Sequence, residues 1–252
     1  MSLVLLYSWL MVGFRGLGIV LLIPTLGVQQ LPAVIRVALT MTLATLLYAI
    51  VPHAGSLPSS VFGMVVAGGG EIVLGMAMGF VGRLSFATVE MAGRIISQNI
   101  GLGGIPGVDT PRPSEEPLAA FLSMFAGLLF FLSGAHLTCL AAFARSFDYA
   151  PAGLPMFGPD STERMINATG HVIELGFRIA APFIALDFLI NLAFSVLGRA
   201  VPKTNVFILS YSLRTLVGLG LLSTAGMLIA RYLMQEFGVL PLRMLELLPL
   251  TR

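Results

Sequence analysis

Residues 61–100, VFGMVVAGGGEIVLGMAMGFVGRLSFATVEMAGRIISQNI, form the longest apolar block of the chain. About 20 apolar residues are enough for a helix to cross the hydrocarbon core of a bilayer, so this block is too long for one crossing. It does not sustain the alternation of apolar and polar residues that a half-buried β-strand requires. The block therefore predicts membrane-embedded helix rather than a strand of a β-barrel.

Further apolar blocks lie on both sides, separated by segments that contain proline and glycine. The mean hydropathy is +0.95, and 10% of the residues are charged, against about 25% in soluble domains. This composition excludes a soluble globular protein. It predicts one all-α membrane domain over residues 1–252 with about six long, partly broken helices, the remaining blocks being Leu3–Ile23, Ala33–Val51, Leu118–Ala144, Met165–Gly198 and Asn205–Met234.

Charge and cysteine content exclude further classes of protein. A formal charge of +2 without a Lys/Arg-rich run argues against nucleic-acid binding. The lone cysteine, Cys139, excludes an internal disulfide. Arg15 interrupts the first block, which is therefore expected to be a retained helix rather than a signal peptide. In a six-span arrangement the cationic residues divide almost evenly between the two sides, which fits either helices held by partner subunits or short loops with weak orientation signals.

Catalytic and metal-binding patterns are missing from the sequence. The three histidines lie on separate segments, and no His-Glu-x-x-His or Gly-x-Ser-x-Gly pattern occurs. His171 and Glu174 are three residues apart, but no second pair completes a metal shell, and Glu174 is better placed to pair with Arg178. The sequence therefore predicts no enzyme activity, no metal and no cofactor.

The charged residues of the fifth block leave a secondary transporter open as an alternative. Glu174, Arg178 and Asp187 would form its ion or proton site beside Pro182, which is expected to break or bend the helix. Such a transporter should show two related halves, and residues 1–126 and 127–252 share no convincing repeat.

A glycine-rich segment, GLGGIPGVDTPRPSEEP, follows the longest block at residues 101–117. It lacks the Lys and Ser/Thr of a phosphate-binding loop, and Pro106 removes a backbone amide that such a loop needs. Irregular backbone at membrane depth is tolerated only where protein buries it or where it lines an aqueous cavity. A solvent loop would contain more polar residues than Gly101–Val108. The segment is therefore predicted to be buried or pore-lining.

Short motifs in a fixed order resemble those of one protein family. Glu71 with Gly75 and Gly79 resembles a helix of that family, and the spacing of the two glycines favours close helix approach. The other motifs are Pro24 with Pro32 and Arg36, Ala92-Gly93, Gly101-Leu102, Val108-Asp109, Pro117-Leu118, Leu128-Leu129-Phe130, Ala135-His136, Ser146-Phe147, Pro151 and Gly198–Phe207. Over nearly its whole length the chain is similar to the family of flagellar FliR and injectisome SctT export proteins.

This resemblance implies a non-catalytic subunit of a type III export gate, with the flagellar system favoured. Such subunits assemble with FliP-like and FliQ-like proteins, beside FlhB-like and FlhA-like components, in the bacterial inner membrane at the flagellar basal body. Their helical hairpins are completed by these partners and by membrane lipids. Unfolded export substrates pass through the channel that the subunits enclose.

The resemblance also assigns roles to individual residues. Gly104 and Gly107 stand where the family usually has bulky aromatic residues, so a seal would come from Leu102, Ile105 and Val108. The channel plug is expected at Gly101, Leu102, Gly103, Gly104, Ile105, Pro106, Gly107, Val108 and Asp109. Contacts between subunits are expected at Arg36, Glu71, Gly75, Gly79, Lys203, Asn205 and Arg214.

Overall fold

Seven α-helices make up the described part of the chain. The computed structural model describes residues 3–22, 32–52, 57–58, 60–102, 117–200 and 206–249. No strand occurs in these ranges, and the prediction of an all-α membrane-type protein is confirmed. In chain order the helices are α1 (Leu3–Leu22), α2 (Ala33–Tyr48), α3 (Val61–Asn99), α4 (Pro117–Leu132), α5 (Ala135–Tyr149), α6 (Ser161–Ala200) and α7 (Val206–Leu245).

Four of these helices, α1, α3, α6 and α7, are long and apolar enough to cross a membrane. α1 has 20 residues, which matches one crossing. α3 has 39 residues, and α6 and α7 have 40 each. Each of these three is about 60 Å long, twice the hydrocarbon core of about 30 Å. Much of each long helix therefore extends beyond a single bilayer crossing.

The fourth apolar block folds as two helices instead of one. α4 and α5 are bent by 67° at the break between them. Gly134 lies at this break with a φ of +73°, a left-handed conformation that is strained for residues with a side chain. Its N–H donates a hydrogen bond of 3.2 Å to the carbonyl oxygen of Phe131. The glycine thus supplies the backbone conformation that the bend requires.

α6 continues through Pro182 as one helix, so of the expected break or bend the break does not occur there. Proline has no N–H to donate to the carbonyl four residues earlier, which lies on Arg178. Membrane helices tolerate this loss because neighbouring groups and small backbone adjustments satisfy the freed carbonyl.

The chain forms two compact units. Unit 1 comprises Met1–Ser85, Phe130–Gly170 and Glu236–Arg252, and unit 2 comprises Phe86–Leu129 and His171–Gln235. Four of the helices, α3, α4, α6 and α7, contribute residues to both units.

The core of unit 1 is rich in aromatic rings. Phe143 and Phe147 of α5 have ring centroids 5.5 Å apart, and Phe130 meets Phe237 edge-on at 5.3 Å. Edge-on and tilted ring pairs of this kind add to the stabilisation that burial alone provides. This cluster surrounds the side of α5 that also faces a buried charge, described below.

In unit 2 the C-terminal end of α3 packs against both α4 and α7. A Cβ added to Gly93 of α3 would lie 2.8 Å from Cα of Ala119 in α4. One added to Gly218 of α7 would lie 2.5 Å from Cβ of Ile100, the residue that follows α3. Two glycines therefore let neighbouring helices approach α3 closely, just before the glycine-rich segment begins.

Candidate functional site

The predicted plug begins in a Schellman motif at the end of α3. Gly101 has a φ of +79° and is the left-handed residue that ends the helix. The N–H of Leu102 donates to the carbonyl oxygen of Ser97 at 2.9 Å, and that of Gly101 donates to Gln98 at 3.3 Å. The start of the segment is thus a defined structure, whereas Gly103–Asp109 lie outside the described residues.

α7 also contacts the start of the predicted plug. The hydroxyl of Tyr211 in α7 donates a hydrogen bond to the carbonyl oxygen of Gly101. Carbonyls at a helix C-terminus have no partner within their own helix, so a donor from elsewhere satisfies this one. The first residue of the predicted plug is therefore tied to α7 as well as to α3.

Polar side chains follow one side of α3 toward this point. Arg94 and Gln98 are exposed and Glu90 is half-buried, each four residues from the next. Most other residues of α3 between positions 85 and 100 are buried or half-buried. Because a charged side chain in hydrocarbon is costly, this side of α3 is suited to water or to protein rather than to lipid.

Arg15 and Glu71 form a fully buried ion pair in unit 1. Nε of Arg15 lies 2.6 Å from Oε2 of Glu71, Nη2 lies 3.0 Å from Oε1, and both side chains are 0% exposed. This is the two-pronged arrangement in which a guanidinium and a carboxylate bind most strongly. Glu71, expected from the family resemblance to contact another subunit, thus has its partner within the chain.

The remaining polar atoms of this pair are also satisfied. Arg15 donates to Oγ of Ser146 at 2.9 Å and to the carbonyl oxygen of Ala150 at 2.8 Å, and its guanidinium carbon lies 3.9 Å from the ring centre of Phe147. The N–H of Gly153 donates to Oε1 of Glu71 at 2.8 Å. One network therefore joins α1, α3, α5 and the turn after α5. Sequence reasoning noted both ionisable residues but not their pairing.

The close helix approach predicted for Gly75 and Gly79 is confirmed, and α1 of the same chain is the helix that approaches. A Cβ added to Gly75 would lie 2.1 Å from the carbonyl oxygen of Arg15, and one added to Gly79 would lie 2.9 Å from that of Ile19. Gly18 of α1 faces α3 in the same way, 2.4 Å from the carbonyl oxygen of Ile72. Backbone atoms of α1 and α3 are therefore in close contact where the two helices cross, next to the buried ion pair.

Arg214 belongs to a second polar cluster, which lies in unit 2. Its Nε is 2.8 Å from Oδ1 of Asp187, and its Nη2 donates to Oδ1 of Asn191 at 2.5 Å. Asn191 in turn donates to Oδ2 of Asp187 at 2.9 Å. The cluster joins α6 to α7 and neutralises two charges inside apolar helices.

Glu174 and Arg178 form a separate, exposed pair at 2.7 Å. Glu174 precedes Asp187 by thirteen positions in α6, which corresponds to about 20 Å. The three residues of the transporter alternative are therefore split between two places, and each charge already has a partner. No group of three His, Cys, Asp or Glu side chains within the described ranges could hold a metal ion.

The other predicted contact residues lie at the edges of the described structure. Arg36 is half-buried in the first turn of α2. Lys203 and Asn205 lie outside the described residues.

Comparison with known proteins gives one family over most of the chain. Residues 6–239 match the family described as bacterial export proteins, family 1. The chain is 28% identical to the flagellar biosynthetic protein FliR of Escherichia coli (strain K12) over 232 residues, 89% of this chain and 88% of the relative. It is 28% identical to FliR of Bacillus subtilis (strain 168) over 214 residues, 83% and 82% of the two chains. It is 27% identical to the Yop proteins translocation protein T of Yersinia pestis over 230 residues, 88% and 84%.

Proposed function

The chain belongs to the bacterial export proteins, family 1, and from this membership we propose that it forms the type III export channel together with FliP-like and FliQ-like subunits. The resemblance to FliR and SctT is thereby confirmed, and members of this family are non-enzymatic membrane proteins of the export apparatus. In the proposed assembly the chain lies in the inner membrane at the flagellar basal body, beside FlhB-like and FlhA-like components. Unfolded export substrates pass through its centre.

Large uncovered apolar faces support a role within an assembly. In the most apolar stretches of α6 and α7, 22% and 17% of the residues are buried within the chain. Within α2, all of which is described, Thr40 and Ala44 are the buried residues. Partner subunits and lipid would cover these faces, with contacts at Arg36, Arg214, Lys203 and Asn205. Glu71, Gly75 and Gly79 would support them by fixing α1 against α3.

The channel proposal rests on one observation. The glycine-rich segment begins at the Schellman motif that ends α3, and α3 has polar side chains along one side. Glycine lets the backbone rearrange around a passing chain, and small apolar side chains exclude ions without binding a substrate tightly. Leu102, at the start of the segment, is 38% exposed and free to contribute to such a seal. We assign Gly101–Asp109 as the closing segment of the channel.

Deleting Gly103–Val108 is expected to leave assembly intact but to make the membrane leak ions, because the seal is removed while the helices stay in place. The measurement is the ion conductance of membranes that contain the complete export complex, with the amount of purified complex as the assembly control. A matched variant replaces Leu102, Ile105 and Val108 by serine at constant loop length, and it should leak as well. Unchanged conductance in the deletion variant would refute the closing role.

The polar side of α3 is expected to face the aqueous path. In a Cys139→Ala background, cysteines at Arg94 and Gln98 should react with a water-soluble thiol reagent at least about ten-fold faster than a cysteine at Leu216, because the reactive thiolate forms where water reaches it. Leu216 is an apolar residue of α7 that is 72% exposed within the chain, so lipid or protein should cover it. Equal rates at the polar and apolar positions, measured in the intact complex, would contradict this assignment.

A further inference from the structure

We propose that a cavity within unit 1 binds one acyl chain of a membrane phospholipid and that Arg36 contacts the phosphate of the same lipid molecule. The cavity, here called the acyl cavity, has a volume of about 210 Å³. Its lining residues come from α1, α2, α4, α5 and the end of α7, and all of them belong to unit 1. The inference does not depend on the closing role proposed for Gly101–Asp109.

The floor of the acyl cavity is formed by buried apolar side chains. Ile19 of α1, Phe143 of α5 and Met244 of α7 line it and are buried. His136, the most polar of the lining residues, packs its ring against that of Phe131, with 5.0 Å between the ring centroids. In other proteins a cavity of about 150 Å³ lined by apolar side chains excludes water and binds benzene. The acyl cavity is larger, so a hydrocarbon chain fits it better than water or a polar ligand does.

The mouth of the acyl cavity opens through an apolar surface. Leu39 of α2, Phe131 of α4 and Leu140 of α5 line the cavity and are exposed. Hydrocarbon surrounds the apolar helices of a membrane protein, so an acyl chain can enter from the side. A helix with its side chains is about 10–12 Å wide, which is too wide for a cavity of this volume. A partner protein could therefore insert little more than one side chain, whereas the flexible end of an acyl chain can follow the cavity to its floor.

α1 and α2 form an antiparallel hairpin that sets the depth of the cavity. A Cβ added to Gly13 would lie 3.7 Å from Cβ of Ala44, and one added to Gly16 would lie 3.8 Å from Cγ2 of Thr40. Later positions of α1 thus contact earlier positions of α2. The cavity is lined by the last two turns of α1, so it lies near the end of the hairpin at which α1 ends and α2 begins. Because the 20 residues of α1 match one crossing, this end is expected near the lipid headgroups.

Arg36 is the charged residue of α2 and lies on the side of the helix that lines the cavity. Arg36, Leu39 and Leu43 are spaced by three and four positions, which places them on the same face. Arg36 precedes Leu39 by about 4.5 Å along the helix axis, on the headgroup side of the mouth. A phospholipid carries its phosphate next to the start of its acyl chains, and an arginine near the membrane surface attracts anionic headgroups. The charge of Arg36 therefore complements the phosphate of a lipid whose acyl chain occupies the cavity.

The test uses the complete export complex in membrane discs of phosphatidylethanolamine and phosphatidylglycerol. A small fraction of the phosphatidylglycerol carries a photoreactive group at the end of one acyl chain. We expect this group to crosslink to the cavity floor, at Ile19 and Phe143, because the acyl chain ends there. A photoreactive group beside the glycerol should instead crosslink to the first turn of α2, around Arg36. Mass spectrometry of the digested chain locates both crosslinks, and this pattern is measured on the unsubstituted protein, so it does not require any variant to assemble.

Three substitutions separate binding in the cavity from contact with bulk lipid. Leu43→Trp enlarges a lining side chain and should lower crosslinking at the floor about ten-fold, the loss that corresponds to excluding two methylene groups. Arg36→Gln should lower it about five-fold, as expected for one lost cationic contact with an anionic headgroup. Leu46→Trp makes the same change at an exposed position of α2 that does not line the cavity, and it should leave crosslinking unchanged. The yield of purified complex is measured for each variant.

Each result supports or overturns the proposal. Crosslinking at the floor that falls in Leu43→Trp and Arg36→Gln, but not in Leu46→Trp, at equal yields of complex, supports it. If the unsubstituted protein does not crosslink at the floor, the proposal is wrong. Equal crosslinking in Leu43→Trp and Leu46→Trp overturns binding in the cavity, and unchanged crosslinking in Arg36→Gln overturns the phosphate contact. If a photoreactive amino acid at Leu39 crosslinks to another protein and not to lipid, a partner's side chain occupies the cavity and the proposal is again overturned.

Discussion

Arg15→Ala is expected to lower the free energy of unfolding by about 3–5 kcal/mol, because it leaves the carboxylate of Glu71 buried without a cation. The same change removes the hydrogen-bond donors to Ser146 and Ala150. A domain is typically stable by about 5–15 kcal/mol in total, so this is a large share. The melting temperature of the purified complex, and the amount of full-length chain that remains in membranes after synthesis is stopped, measure the loss.

Two controls separate the buried charge from other effects. Arg178→Ala removes an arginine from a pair whose side chains are 56% and 62% exposed, and should leave stability almost unchanged because surface ion pairs contribute little. Replacing both Arg15 and Glu71 by methionine removes the two charges together and should be less harmful than either single change. If the double variant is as unstable as Arg15→Ala, the unpaired buried charge is not the cause of the instability, and lost packing is.

Gly75→Ala is expected to separate α1 from α3. The added Cβ would lie 2.1 Å from the carbonyl oxygen and 2.9 Å from the carbonyl carbon of Arg15, and backbone atoms cannot rotate aside as a flexible side chain can. A shift of α1 would also pull Arg15 away from Glu71. One methyl group should therefore reduce the amount of assembled complex nearly as much as Arg15→Ala does, as measured by its yield from membranes.

Gly82→Ala is the matched control for this substitution. Gly82 lies on α3 two turns after Gly75, and no heavy atom lies within 4 Å of a Cβ added there. Alanine is favoured over glycine in a helix by about 1 kcal/mol, so this variant should be as stable as the parent or more so. Equal yields of the Gly75→Ala and Gly82→Ala complexes would show that α1 does not approach α3 as closely as the structure indicates.

The helices could be predicted from the sequence because apolar runs this long have few alternatives in a chain with 10% charged residues. The positions at which these helices are interrupted could not be predicted. Gly127 and Gly134 both lie in the fourth apolar block, yet Gly127 stays helical within α4 and Gly134 adopts a positive φ at the 67° bend. Glycine is common in membrane helices, and the only local signal that distinguishes the two is that Ser133 precedes Gly134, a dipeptide that also marks turns. Packing in three dimensions decides which one bends.

For the candidate site, too, the sequence predicted local features but not the residues that they contact. The family motifs indicated the glycine-rich segment, and the spacing of Gly75 and Gly79 predicted close approach of a helix. Neither could identify the partner, because Arg15 and Glu71 are 56 residues apart and Gly101 and Tyr211 are 110 apart. One usable signal existed for the first pair, since opposite charges that each stand in an apolar block need partners. For Tyr211 the sequence offered no comparable signal.

The pairing of Arg15 with Glu71 also has a consequence for biosynthesis. The ribosome adds about 5–20 residues per second, so the carboxylate appears roughly 3 to 11 s after the guanidinium it will neutralise. Until then the first helix enters the translocation machinery with a cation worth about 2.5–3.5 kcal/mol against insertion. We therefore expect the first helix to reach its final depth only when the third has formed, so a nascent chain stopped before Glu71 should be more accessible to proteases than one that includes it.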